Sequence, residues 1–260
     1  MLPNFTVEVL PEIDSTNTEL MRRAKAGHLE PILLVAEKQT AGRGRLGREW
    51  HDLGVRTDTV PALTFSLGLP LAPIDWSGLS LAVGLSIAQS LHTDIGLKWP
   101  NDLWLQDRKL AGILIETCAV GQARYVVVGV GINITKPAEN LNSLAGPLKP
   151  LKSLRRAPAW LQELIPQMTA PDALLRIAPT LIQTLLIFSE QGFAPFHTRF
   201  HQRDVLRGRQ ISVDDNHTGA SVQAATTGIA LGVNGQGELA IQTAQGTTTI
   251  NSSEVSVKPL

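Results

Sequence analysis

Three strand-length apolar runs follow one another almost without pause between Leu103 and Asn133. They are Leu103-Trp104-Leu105, then Lys109 to Glu116, then Tyr125 to Asn133, with turns at Gln106-Asp107-Arg108 and at Gly121. Two parallel strands need a crossover of about a dozen residues or more, and no such length is available here. Consecutive runs this close favour antiparallel pairing, so the fold class is α+β with a mixed or antiparallel central sheet and helices, not a doubly wound parallel sheet. Gly129 and Gly131 lie inside the last run. Glycine weakens a strand unless something has to approach its backbone closely.

The remaining elements fit around that sheet. Thr6 to Leu10 alternates weakly and suits an edge strand. Thr16 and Glu19 have capping-box spacing, Leu20, Met21 and Ala24 line one helical face, and Gly27 ends the helix. Residues 32–36 form a buried strand, and Leu63, Phe65, Leu67 and Leu69 alternate with smaller residues as a half-buried one. Residues 77–91 are apolar nearly all round and predict a buried helix. A Pro-, Gly- and Ser-rich loop is expected at 137–155, then helices at 159–168 and 172–190, the second kinked or split by Pro179. From Arg209 the texture changes to short runs separated by turn signals such as Asn234-Gly235, which describes a small all-β barrel. This divides the chain into domains at 1–205 and 206–260.

The chemistry concentrates in a loop, Gln39 to Trp50. Gly42, Gly44 and Gly47 allow close backbone approach. Arg43, Arg45 and Arg48 supply planar, always-charged forks suited to carboxylate and phosphate oxygens, and Trp50 offers a stacking face. The glycines satisfy the dinucleotide fingerprint G-x-G-x-x-G, but the preceding strand ends several residues early and no helix opens inside the motif. The loop therefore suits an anion carrying a ring, such as a nucleotide. Lys98 and Asp102 flank Trp99-Pro100-Asn101 and interrupt an apolar context, which favours a cavity over a solvated surface. An Asp and an Asn together can hold Mg²⁺ through oxygen or water. Lys109 is followed by Ala111-Gly112, which leaves room beside it, and Asn133 ends the glycine-bearing strand, where it could meet adenine or phosphate. Ser15 and Thr16 suit helix capping, and hydroxyls and amides at a helix start also suit a polar ligand group. His197 and His201 lack an H-E-x-x-H arrangement and are assigned to packing or surface.

Composition removes several alternatives. With 23 basic and 23 acidic residues in 260, there is no basic surplus of the kind nucleic-acid binders carry. A single cysteine, Cys118, permits no internal disulfide and suits a reducing compartment. The first residues lack a signal-peptide pattern, and no apolar run looks long enough to span a membrane, so a cytoplasmic location is expected.

The order Ser15-Thr16-Asn17, Gln39 with Ala41 to Arg48 and Trp50, Lys98-Trp99-Pro100-Asn101-Asp102, Asp107 to Leu114 and Gly129 to Asn133 resembles the biotin–protein ligase (biotin–[acetyl-CoA-carboxylase] ligase) family. The resemblance is dense over residues 7–135 and looser beyond. It implies a catalytic fold like that of class II aminoacyl-tRNA synthetases, with a C-terminal SH3-like barrel. It also implies an ATP-dependent, two-step reaction through biotinyl-5′-AMP and transfer of biotin to a lysine of the biotin carboxyl carrier protein of acetyl-CoA carboxylase. By similarity, Ser15, Thr16, Asn17, Gln39, Gly42, Arg43, Gly112, Gly129 and Gly131 hold biotin. Lys109, Arg45 and Arg48 carry the chemistry. Trp50, Lys98, Asn101, Asp102 and Asn133 join them around ATP, with Asp102 serving Mg²⁺. The chain begins at the catalytic domain, so no helix-turn-helix and no DNA binding are expected, and a homodimer is compatible. Residues 51–61 are longer and more polar than is usual in the family. The rivals are a lipoate or octanoate ligase, a non-catalytic biotin or nucleotide sensor, and an RNA-binding module.

Overall fold

The computed structural model describes residues 5–50, 60–136, 157–215, 226–251 and 255–260. The expected loop at 137–155 lies wholly outside them, and the unusual 51–61 stretch lies outside them except for its last two residues.

Two sheets are present. The larger takes β1 (Thr6–Leu10), β2 (Ile32–Ala36), β3 (Ala62–Pro70), β4 (Gly96–Lys98), β5 (Asp102–Leu105), β6 (Arg108–Val120) and β7 (Ala123–Asn133) in the spatial order β1-β2-β3-β7-β6-β5-β4. Only β1 and β2 run parallel, joined through α1 (Thr16–Lys25), and every other pairing is antiparallel. The β5–β6 turn places Gln106 and Asp107 at φ 50° and 61°, the left-handed pair that matches the twist of a two-residue hairpin.

Strand parity separates the two faces of this sheet. On β7, Val126, Val128, Val130 and Ile132 join the main core under α2 (Leu79–Leu91) and α3 (Ala170–Gln191). The opposite parity gives Tyr125 and Val127, which pack with Leu20, Ala24 and Leu34 beneath α1, and then Gly129 and Gly131. Where α1 stops covering that face, the sheet is left bare of large side chains and a cleft begins.

Several expectations need correction. The N-cap of α1 is Ser15, whose hydroxyl accepts from Thr18 N, rather than Thr16 of the expected capping box. β3 is buried on both faces, because Thr64 and Ser66 lie beneath the cleft instead of facing solvent. Residues 159–168 make only a short 3₁₀ turn, Leu161–Glu163, since Pro166 cannot continue a helix. α3 runs unbroken through Pro179, which sits on its exposed face. At 22 residues α3 is also long and apolar enough to cross a membrane, contrary to expectation, yet Ala173, Ile177, Leu181, Leu185 and Phe188 bury one side of it in the core. In α4 (His197–His201), a ring nitrogen of His197 and one of His201 each lie 2.8 Å from the Val233 carbonyl, the packing role expected.

The second sheet is all antiparallel, in the order β11-β10-β9-β8-β12: β8 (Gln210–Asp215), β9 (Thr226–Val233), β10 (Leu239–Thr243), β11 (Gly246–Ile250) and β12 (Val255–Pro259). Five such strands are consistent with a small SH3-like unit. Its inner residues, among them Ile211, Ala230, Leu239, Ile241 and Val257, belong to the same hydrophobic core as the large sheet. Buried Trp99 donates its indole N–H to Gly237 O at 3.0 Å, and Arg209 clasps Asp107 at the β5–β6 turn with contacts of 2.5 and 2.9 Å.

Candidate active site

An open cleft lies on the α1 side of the large sheet. Its floor is glycine. Gly112 of β6 stands opposite Gly131 of β7, and Gly129 lies between Ser66 and Leu114. A Cβ at Gly131 would meet the Trp50 indole at 2.4 Å, and one at Gly129 would meet Asn17 Oδ1 at 2.0 Å. The glycines in this valine-rich strand therefore make room for side chains from the loop and from α1.

One end of the cleft is polar and neutral. Gln39 Oε1 accepts from Thr16 N at 2.8 Å, which ties the start of the loop to the start of α1. Ser15, Thr16 and Asn17 are all buried. The other end is cationic. Lys109 Nζ lies 2.7 Å from Asp102 Oδ1, Lys98 Nζ lies 4.0 Å from Asp102 Oδ2, and Arg45 donates to Asn101 Oδ1 at 3.4 Å. Asn101 in turn donates to Ile113 O at 2.8 Å, which fixes its side chain against β6.

Five cationic side chains, Arg43, Arg45, Arg48, Lys98 and Lys109, line the cleft against two carboxylates, Asp102 and Glu49. Burial works against the charge on Asp102, but Lys109 and Lys98 outweigh it and hold the carboxyl below its ordinary range. Burial pushes the Lys98 amine down, with Asp102 opposing, and does the same to Arg45. Bringing an anion to this end relieves the repulsion among buried cations.

All the expected site residues line this cleft except two. Gly42 lies behind it, where its carbonyl accepts from Trp50 N at 2.9 Å and holds the two ends of the loop together. Asn133 turns its amide to Ala159 O at 3.1 Å and Lys109 O at 3.4 Å, behind the lysine rather than in the cleft. Trp50 rests on Gly131 and near Gly112, over the floor. Three residues went unnoticed in the sequence. Ser66 was hidden by its place in an alternating strand, and Glu116 looked like an ordinary strand-end charge. Val257 reaches the cleft from β12 across the boundary between sheets, which no local pattern signals.

Among the described residues no group of three His, Cys, Asp or Glu side chains could hold a metal. Asp102 is a single ionised carboxylate at the cationic end. That is enough for Mg²⁺ only in the mode in which substrate phosphates and water supply most of the ligands.

Residues 9–133 match the model of the biotin/lipoate A/B protein ligase family. Those residues carry a domain of that family. It is 34% identical over 221 residues to the bifunctional ligase/repressor BirA of Escherichia coli, a match covering 82% of this chain and 63% of that protein. It is 29% identical over 259 residues to the biotin–[acetyl-CoA-carboxylase] ligase of Paracoccus denitrificans, covering 95% of this chain and 98% of that one. The chain thus spans less than two thirds of the E. coli relative, and still less of some other curated relatives. Among solved structures it resembles the biotin protein ligase of Aquifex aeolicus in complex with biotin and ATP, with a TM-score of 0.76, 25% identity, and coverage of 98% of this chain and 99% of that one.

Proposed function

We propose that this protein is a biotin–protein ligase. It joins biotin to ATP as biotinyl-5′-AMP, releasing pyrophosphate, and passes biotin to a specific lysine of the biotin carboxyl carrier protein of acetyl-CoA carboxylase. The observation that carries this reading is the cleft's division into a neutral polar end and a cationic end, with Lys109 where they meet.

In the first step a carboxylate oxygen attacks the α-phosphorus of ATP and the bond to pyrophosphate breaks. Two anions must come together, and fixed cations in a partly dry site offset their repulsion. Lys109 stands beside the attacking carboxylate oxygen and the α-phosphate it joins, and Arg45 and Arg48 take the phosphates. Lys98 and Asn101 complete that end. Asp102 is the carboxylate available to the Mg²⁺ that accompanies ATP, an ion that supplies further charge to the triphosphate. Ser15, Thr16, Asn17, Gln39 and Arg43 hold biotin at the neutral end, along Gly112, Gly129 and Gly131. For biotin to lie on Gly112 and Gly131, Trp50 has to move off them, and its indole face then serves the adenine. Gly42 anchors the loop behind Trp50, and Asn133 acts on the nucleotide through the Lys109 backbone. In the second step the carrier lysine's amine attacks the acyl carbon and AMP leaves. Residues 1–205 supply this chemistry, and residues 206–260 close one wall through Val257.

The test offers biotin and lipoate together, with ATP, Mg²⁺ and a carboxylase carrier domain, and follows the carrier by intact mass. A single biotinyl addition is expected, with pyrophosphate released only when biotin and ATP are both present. Lipoyl addition alone, or binding of both compounds without pyrophosphate, defeats the proposal.

A further inference from the structure

We infer that Glu116 is a positioning residue that latches the arginine–glycine loop onto the floor of the cleft. Glu116 lies on β6, two residues past Leu114 and on the same face. Its Oε1 meets Arg43 Nη2 at 3.1 Å and its Oε2 meets Arg43 Nη1 at 3.2 Å, a two-pronged pair between loop and strand. The same Oε2 accepts from Asn17 Nδ2 at 3.0 Å.

Behind Asn17 the polar chain is buried. Ser66 Oγ lies 2.6 Å from Asn17 Oδ1 and 2.7 Å from Thr16 Oγ1. Asn17 is 3% exposed and Ser66 0%. Proton counting fixes the direction of the chain. An amide oxygen has no proton, so Ser66 must donate to Asn17. Flipping the Asn17 amide would set its oxygen against the Glu116 carboxylate, acceptor against acceptor. The carboxylate thus holds Asn17 in one orientation and Arg43 in one place. Asn17 can lie there only because Gly129 has no side chain.

An exposed ion pair by itself contributes little. This one differs because its acid is fixed by a buried chain and its geometry is a fork, which adds directional strength. Releasing it frees the loop between Gln39, still tied to Thr16, and Trp50. The amides that report such opening are those of Gly44, bonded to Arg48 O at 2.7 Å, and Trp50, bonded to Gly42 O at 2.9 Å. The consequence for catalysis, early loss of the acyl-adenylate from an unlatched loop, rests on the function proposed above. The latch itself does not.

The test is hydrogen exchange on the full chain without substrates, in Glu116→Gln, Arg43→Gln and the double variant. Each single change is expected to speed exchange at Gly44 and Trp50 about tenfold while β7 amides keep their protection. The double variant should exchange no faster than either single, because both remove one interaction. Unchanged loop exchange in Arg43→Gln, or effects that multiply in the double variant, overturns the latch. Should Glu116→Gln also loosen β7, the Arg43→Gln result decides, since it breaks the contact from the loop side. Failure here leaves the carrier-mass experiment untouched, and failure there leaves these rates untouched.

Discussion

At the scale of single residues the cleft is a problem in charge. Lys109 is held by Asp102 and by the backbone contacts behind it, so Lys109→Ala removes the cation without disturbing a packed core. The variant should keep the parent circular dichroism spectrum and lose adenylation, seen as absence of biotin-dependent pyrophosphate release. Arg45 sits at the cationic end, so on the proposed function Arg45→Ala is expected to weaken retention of the acyl-adenylate more than binding of biotin, by roughly 1.5–3 kcal/mol for a charge-assisted hydrogen bond. Calorimetry with each compound measures the difference, and equal losses would place Arg45 elsewhere. Asp102 links the site to pH. Its folded carboxyl lies below the ordinary 3.8, so the stability it contributes is complete above that value and is lost as pH falls through the folded one. Thermal melts in acid should therefore fall less steeply for Asp102→Asn than for the parent below about pH 4.

At the scale of elements, the strands that floor the cleft are exceptions within a well-packed sheet. β7 fills one face with valines and leaves the other to Gly129 and Gly131, so the same strand stabilises the core and admits a loop. Gly129→Ala should destabilise, because its Cβ would strike Asn17, which Ser66 and Glu116 hold from both sides. Overpacking of this kind costs roughly 1–3 kcal/mol, measurable by urea unfolding. Gly112→Ala should be milder, since its Cβ meets the mobile end of Lys109 at 3.1 Å. In α3, Pro179 removes one hydrogen bond on the exposed face, so Pro179→Ala is expected to raise the melting temperature. A lower melting temperature would mean that the ring packs against something that matters more than the lost bond.

At the scale of the whole molecule, the two sheets share one core. Trp99 donates across the boundary to Gly237, Leu97 N bonds to Arg203 O at 2.7 Å, and Arg209 holds the hairpin that carries Lys109. Calorimetry of the full chain should show one unfolding transition, and two separated transitions would mean that the sheets are stable independently. The texture change at Arg209 marked where a new sheet begins, but could not reveal that its last strand brings Val257 to the cleft. Strand order near Lys109, the loop's chemistry and most of the cleft's residues were legible because short turns force antiparallel neighbours and because glycine and arginine have few reasons to cluster. Ser66 and Glu116 were not, since alternation along a strand tells which residues share a face and not whether that face is covered. The sequence by itself determined the local elements and the kinds of groups available to the site. Only the tertiary structure decided which polar side chains are buried together, because burial depends on what packs above a strand, and that comes from parts of the chain distant in sequence.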